Sequence, residues 1–500
     1  MSGTPAATPT TSDRLRPERR ASARVLQWAL PLAFVALCGP LGAFMATNTP
    51  PGQVPDETGH IVKADSLLGG EVLARRAPAL APDGTMPLQQ GVDGDFSLQR
   101  VANEPAPAQL TAEHWAQVHA VRWSGPAFIP LGTISGYWPA FYLPGAAGLG
   151  VAKALGASPF DAFLTARLFA FAVFVAAGTA ALALARRGQA LLFCALAAPM
   201  ALHLGASVNQ DGLLIAASAL AVALLTRSCP ADVAVPSPWP DAPRLCAAAL
   251  IACVALAKPP YMPMAALLLL PLPPISLGRV WASRLGLAGA VTVAVLAWTW
   301  FTVRYVSTPV LRPPAEAGPL WPGPRPAVFA GTDFAGQMRV ILAKPIRFLT
   351  LPWHTLMHDG ILWDEAIGIL GYLAIFLPGW LYRLWSWAAA SALAADAAWK
   401  DDRAPVLPSW QVPIPLLCIA TTVVGIYLSQ YLSWTEVGGD HVEGPQGRYF
   451  LPLVPVLAFG LPALGRSAPA GAVLRVLPVA ACLADLVVVP GLLVRYFYMH

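Results

Sequence analysis

Residues 25–46 form one apolar stretch without a charged side chain, about the length a helix needs to cross the hydrocarbon core of a bilayer. Comparable segments follow at about 137–157, 163–185, 189–207, 212–226, 245–257, 260–276, 286–303, 366–382, 412–432, 449–464 and 472–496. This recurrence constrains the fold more than any local motif does. Within lipid only helices and closed barrels satisfy their own backbone hydrogen bonds. The apolar runs are continuous rather than alternating, which disfavours a barrel. The expected fold is an all-α polytopic membrane protein with about 11–13 transmembrane helices. Composition agrees, since only 12% of the chain is charged against roughly 25% in a soluble domain.

Arginines set the expected orientation. Residues 1–24 are rich in Pro, Thr and Ser and carry Arg14, Arg16, Arg19, Arg20 and Arg24. They read as a disordered basic cytoplasmic tail before an uncleaved anchor, the apolar run being long for a signal peptide. Residues 25–500 then form a single integral-membrane domain, with outer loops at 47–136 and 304–365. The positive-inside rule puts loops 227–244, 277–285 and 383–411 in the cytoplasm, together with Arg186 and Arg187. That arrangement requires segment 137–157 to be tilted or re-entrant rather than a full crossing.

With this orientation the informative polar residues gather on the outer face. Asp56, Glu57 and His60 follow the first span; Asn209-Gln210-Asp211 joins two apolar segments; Lys258-Pro259-Pro260-Tyr261 interrupts another pair; and Gln446-Gly447-Arg448-Tyr449 opens a late segment. Charges this close to a bilayer are costly unless they meet water, a partner or a substrate. The stretch 54–69 reads as a short amphipathic helix near the interface, with its acidic N-terminus favoured by the helix dipole. Asp56 is then either a helix cap or a chemical group. Asp211 is either an N-cap or a contact to a substrate hydroxyl. Lys258 and Arg448 suit a phosphate at the membrane boundary, one as a point charge and the other as a planar fork; snorkelling to headgroups is the alternative. Arg167 is expected to pair with Asp161 one to two turns earlier. Loop 304–365 contains an amphipathic stretch from Phe334 to Leu351.

Other signals are weak. Asp93-Gly94-Asp95 matches an Asp-x-Asp pattern but reads as a turn. The seven cysteines show neither metal spacing nor a disulfide framework. No basic stripe with interleaved aromatics points to nucleic acid, and no metal is assigned to His114 or His119. The tryptophans nearby, Trp115, Trp123 and Trp138, read as interfacial anchors.

Together the landmarks resemble a bacterial family known as domain-of-unknown-function family 2142, over about residues 50–465. They are Pro55-Asp56-Glu57 with His60; Tyr137-Trp138-Pro139 with Tyr142-Leu143-Pro144; Arg167-Leu168-Phe169; Ser207 with Asp211; Ala257-Lys258 with Tyr261; Pro345 with Phe348; Gly368 with Leu370-Gly371; and Gln446-Gly447-Arg448-Tyr449 with Pro452. Trp138-Pro139 departs from the expected Tyr-Pro-Pro-like run. The layout is similar to C-type integral-membrane glycosyltransferases, which take sugars from polyprenyl-phosphate carriers. That similarity implies an acidic catalytic residue in the first outer loop, here Asp56 with Glu57; Glu57 is then a helper, an acceptor contact or, with Asp56, a ligand to a divalent cation. Substrate contacts are then expected from His60, Asp211, Lys258, Tyr261, Gln446, Arg448 and Tyr449. The implied setting is the bacterial inner membrane, with the N-terminus cytoplasmic and a glycan, lipid or protein acceptor. A transporter or flippase for a lipid-linked or anionic solute is the alternative.

Overall fold

The computed structural model describes residues 27–103, 110–228, 239–398, 407–461 and 473–499. The basic tail 1–24, most of loop 227–244 and part of 383–411 lie outside the described residues. The chain is mainly helical. Among the described residues six helices are long and apolar enough to cross a membrane: α1 (Gln27–Asn48), α4 (Pro159–Leu184), α5 (Gln210–Arg227), α7 (Gly278–Val306), α11 (Ser409–Ser433) and α12 (Val476–Tyr498). Between them, in chain order, lie α2 (Glu57–Leu68), α3 (Leu143–Ala154), α6 (Ala242–Ala257), α8 (Phe334–Ala343), α9 (Pro345–Asp359) and α10 (Gly379–Ala398).

Six is fewer than the apolar segments led one to expect, and the breaks have local causes. Segment 189–207 splits at Ala198-Pro199 into helices Gln189–Ala197 and Pro199–Gly205, because proline disfavours the helical conformation in the residue before it. Segment 245–276 breaks at Lys258-Pro259, beyond which Pro259–Leu269 winds as a 3-10 helix. Gly447–Val456, which contains Pro452 and Pro455, is also 3-10. Segment 366–382 is not one helix but a short helix, Leu362–Gly368, followed by a two-strand hairpin. The helix expected there is displaced into α10, where Trp, Tyr, Arg and Ser lower the apparent hydropathy. α3 has twelve residues, about 18 Å of helix against a core of about 30 Å. It is too short to cross.

α5 lies at the centre of the bundle, with fifteen of its eighteen residues buried, as expected for a helix that is apolar on every side. Around it a core forms from Phe34, Phe174, Phe193, Leu196 and Val222, with Phe34 set against Phe174 and Phe193 at ring-centroid separations of 6.2 and 6.4 Å. α7 exposes Val293, Leu296, Trp300 and Val303, an apolar surface that suits lipid.

The fold is not purely helical. Segment 47–136 contains a three-stranded antiparallel sheet, β1 (Arg75–Pro78), β2 (Leu88–Asp95) and β3 (Pro126–Pro130), in that order, with Gly91 opposite both Arg75 and Pro130. Asp93 and Asp95 are thus in a strand rather than a turn. Asp93 pairs with Arg75, and Asp95 accepts hydrogen bonds from the Ser97 and Gly125 amides. The sheet covers α2, eight of whose twelve residues are buried. α2 is therefore an internal helix held between sheet and α3, not one lying on the membrane surface. Arg76 ties the sheet to the end of α7, donating to the carbonyls of Val303, Arg304, Val306 and Ser307 at 2.7–3.4 Å. It thereby satisfies carbonyls that a helix C-terminus leaves unpaired.

Candidate functional site

The site is built on the corner that leads into α2. Asp56 adopts the left-handed backbone region (φ 63°) and its side chain makes no capping hydrogen bond to the helix. Aspartate tolerates this conformation better than most residues. The result is that Asp56 and Glu57 leave the chain in different directions.

Glu57 turns inward and has no exposure, like its partner Arg167 of α4. Arg167 Nε donates to Oε1 at 2.8 Å and Nη2 to Oε2 at 2.5 Å. The rest of the guanidinium donates to the carbonyls of Ala46, Thr49 and Pro50. Glu57 Oε1 also accepts the Val208 amide at 3.2 Å, while Asn209 Nδ2 donates to the Pro55 carbonyl at 2.8 Å. Arg167 thus pairs with Glu57 and not with Asp161, which is bonded locally to Ser158. A divalent cation shared by Asp56 and Glu57 does not fit this geometry, since both Glu57 oxygens are committed.

Asp56 turns outward, its side chain 46% exposed, and meets Arg448 Nη2 at 2.5 Å. Arg448 is itself buried; its Nε faces Asp211 Oδ2 at 3.6 Å, and among the described residues neither Nε nor Nη1 has a hydrogen-bond partner. Asp211 Oδ1 holds Lys258 Nζ at 2.6 Å. Asp211 is not the N-cap of α5. Asn209 caps it, accepting the Asp211 amide, which leaves the Asp211 carboxylate for the two cations. Lys258 occupies the break between α6 and the 3-10 helix and lies 4.1 Å from the centre of the Tyr449 ring. Tyr261, beneath it, donates to the Tyr449 carbonyl at 2.6 Å. Glu365 accepts the Gly447 amide at 2.7 Å and anchors the start of the Arg448 segment.

Two carboxylates and two cations therefore alternate as Asp56, Arg448, Asp211, Lys258. Burial opposes ionisation of Asp56, but the Arg448 guanidinium outweighs it and holds the carboxyl below its usual range. His60 lies against Tyr137 and Tyr142 at centroid separations of 6.2 and 5.6 Å, with Nδ1 at 2.7 Å from the Tyr142 hydroxyl. Burial lowers its pKa to about 4, so the ring is neutral at physiological pH.

The cluster forms the floor of a cavity of about 420 Å³. Of the sequence-predicted residues Asp56, His60, Asp211, Lys258, Gln446 and Tyr449 line it. Arg448 is next to it through Asp56 and Asp211. Glu57 and Tyr261 are not among the lining residues and act from behind. Sequence reasoning did not assign the walls, which are part apolar, with Leu131, Ile134, Val310 and Leu311, and part polar or aromatic, with Gln89 and Gln90 of β2, Thr133, Tyr137, Thr308, Gln430 and Trp434. The latter are neutral amides, hydroxyls and aromatic rings, suited to a polyhydroxylated molecule.

Chemically, the floor offers an ionised carboxylate beside a guanidinium with unused donors, and an ammonium one residue pair away. Such a set can hold an anion while a neighbouring carboxylate takes a proton. A family model described as "Predicted membrane protein (DUF2142)" matches residues 40–457. No curated protein and no solved structure matches the chain.

Proposed function

On the premise that the chain belongs to the DUF2142 family of predicted membrane proteins, we propose that it transfers a sugar from a polyprenyl-phosphate carrier to a glycan, lipid or protein acceptor. The observation that carries this reading is Asp56, half-exposed in the cavity and paired to the buried Arg448. A lipid-phosphate donor has its chain in the bilayer and its phosphate at the boundary, where Lys258 and Arg448 sit. The acceptor hydroxyl attacks the anomeric carbon and gives its proton to Asp56. The carbon–oxygen bond to phosphate breaks, and its electron pair leaves with the phosphate oxygen. Arg448 and Lys258 stabilise that charge. One displacement inverts the anomeric centre.

The resting ion pair makes Asp56 a weak base, whereas a general base works best near the ambient pH. A donor phosphate that engages Arg448 draws the guanidinium's charge away from Asp56 and raises its basicity. The neutral His60, braced by Tyr142, is placed to accept or donate a hydrogen bond without adding charge. The amide- and Trp434-lined walls suit the sugar rings. The arginine distribution favours a site at the extracytoplasmic end of a multi-pass protein of the bacterial inner membrane, with a cytoplasmic N-terminus.

A second reading, transport of a lipid-linked or anionic solute, draws on one observation. The chain at Lys258 and the 3-10 segment after Gln446 are both interrupted at the site, as substrate-binding segments of transporters often are.

The test is a deletion strain carrying either the native protein or Asp56→Asn, with envelope glycans and lipid-linked sugars extracted from each. The proposal expects the variant to match the deletion, lacking one sugar while its carrier-linked donor accumulates. Identical glycans in the two strains would refute the assignment of Asp56. Unmodified lipid-linked units retained on the inner leaflet would favour transport.

A further inference from the structure

Helix α9 presents three faces. Phe348, Leu351 and Thr355 are buried; the first two pack against Tyr427 and Tyr431 in the last turns of α11, and the Thr355 hydroxyl accepts the Val442 amide at 2.8 Å. About a third of a turn away, Arg347, Thr350, His354 and His358 form an exposed polar stripe at helical spacing. On the remaining face Ile346, Leu349, Trp353, Leu356 and Met357 are all exposed, Ile346 at 80% and Trp353 at 64%. Phe348 and Leu351 satisfy the packing, and this second apolar face has no partner among the described residues. Large contiguous apolar patches on a protein mark an interaction surface.

We infer that α9 lies in the plane of the membrane surface, with the face Ile346–Leu349–Trp353–Met357 in the acyl region of a bilayer that contains anionic lipid. Depth supports this occupant. α9 is packed on the terminal turns of α11, a candidate membrane span, so it sits where that span leaves the hydrocarbon. The surface is continuous in character with α11, which exposes Leu416, Leu417 and Val424. Charge adds to this: Arg339 of α8, Lys344 at the junction and Arg347 of α9 are all exposed, and the acids nearest to them in sequence, Asp333 and Asp359, lie at the two ends of the α8–α9 stretch. A helix with one apolar face, a basic polar face and an exposed tryptophan is the form taken by interfacial helices on anionic leaflets. The consequence is local. α11 also supplies Gln430, and Trp434 follows it, both in the cavity wall. Seating α9 on the bilayer fixes the height of that wall above the lipid.

The experiment places single added cysteines at Leu349, Trp353, Thr350 and His354 in the full chain, reconstituted in nanodiscs of phosphatidylethanolamine and phosphatidylglycerol. Each is labelled with a polarity-sensitive nitrobenzoxadiazole probe, and the unsubstituted chain labelled in parallel supplies the blank. Labels at Leu349 and Trp353 should emit to the blue and lose about half their intensity when the lipids carry mid-chain bromine, whereas labels at Thr350 and His354 should respond to aqueous iodide instead. Ile346→Cys repeats the lipid-face measurement should either variant fail to elute as folded protein. Iodide quenching on both faces would put the helix in water. Shielding of positions 349 and 353 from both quenchers would mean that a protein, or a second copy of the chain, covers the face. Either result overturns the inference.

Discussion

Arg167 and Glu57, 110 positions apart, meet fork to fork with neither side chain exposed. The pair joins α4 to the corner that presents Asp56, and three carbonyls of residues 46–50 take up the remaining guanidinium donors. A buried pair of this kind adds little over an apolar filling, but losing one partner strands a charge. Glu57→Gln should therefore destabilise the fold by about 3–5 kcal/mol. Under the proposed reaction, the fraction that does fold should keep its transfer rate. Detergent-solubilised thermal denaturation, with activity normalised to folded protein, separates these effects. A stable, inactive Glu57→Gln would instead give Glu57 a direct part in the chemistry.

Acid should weaken the protein through Asp56. Its folded-state pKa lies below that of the unfolded chain, because Arg448 outweighs burial. The stabilisation is therefore complete above the ordinary aspartate value of about 3.9. It is lost as pH falls through the lower folded value. Melting temperatures of the native protein and Asp56→Asn should differ by a constant amount from pH 7 to about 5 and converge towards pH 3. A gap that closes already at pH 6 would mean that Arg448 does not hold the carboxyl.

His60 behaves in the same direction over a higher range. Its folded pKa is about 4, so between the unfolded value of about 6.5 and pH 4 the unfolded chain takes up a proton that the folded chain refuses. Stability contributed by neutral His60 is present above that range and drains away on acidification. His60→Gln should flatten this part of the stability profile. Under the proposed reaction the pH–rate profile should show no limb near pH 6.5 from this residue, and one abolished by His60→Gln would contradict a neutral imidazole.

What the sequence revealed, and what it hid, follows from how each residue signals. Asp56, Asp211, Lys258 and Arg448 were legible because charges beside apolar segments are rare and costly, and the structure brings all four together. The pairing of Glu57 was not legible: adjacency to Asp56 suggested a shared site, whereas neighbouring residues on a helix do not face each other and its partner Arg167 lies in a distant span. Gln430, Trp434 and Thr308 carry no charge, so nothing distinguished them from other neutral residues at the ends of apolar segments until the cavity placed them on its wall. The sheet was obscured by Gly91 and Gly94, which read as turn formers within β2. The apolar pattern announced the membrane class, but prolines 199, 259 and 452 decided which segments became continuous helices.

Arg448 should not tolerate lysine. Its guanidinium bonds Asp56 through Nη2, faces Asp211 through Nε and leaves Nη1 without a hydrogen-bond partner among the described residues. Under the proposed reaction that free edge is where the phosphate docks, in the planar two-point manner an ammonium cannot reproduce. Arg448→Lys preserves the charge yet reaches only one carboxylate, so turnover should fall by about 100-fold, the scale seen when one transition-state donor is removed. Lys258→Arg is the control, since that cation acts as a point charge between Asp211 and the Tyr449 ring; its loss should be about 10-fold or less. Purified variants assayed on a polyprenyl-phosphate sugar, with turnover and KM determined separately, distinguish the two. Equal losses would show that the site needs positive charge alone and that the planar fork of Arg448 has no special role.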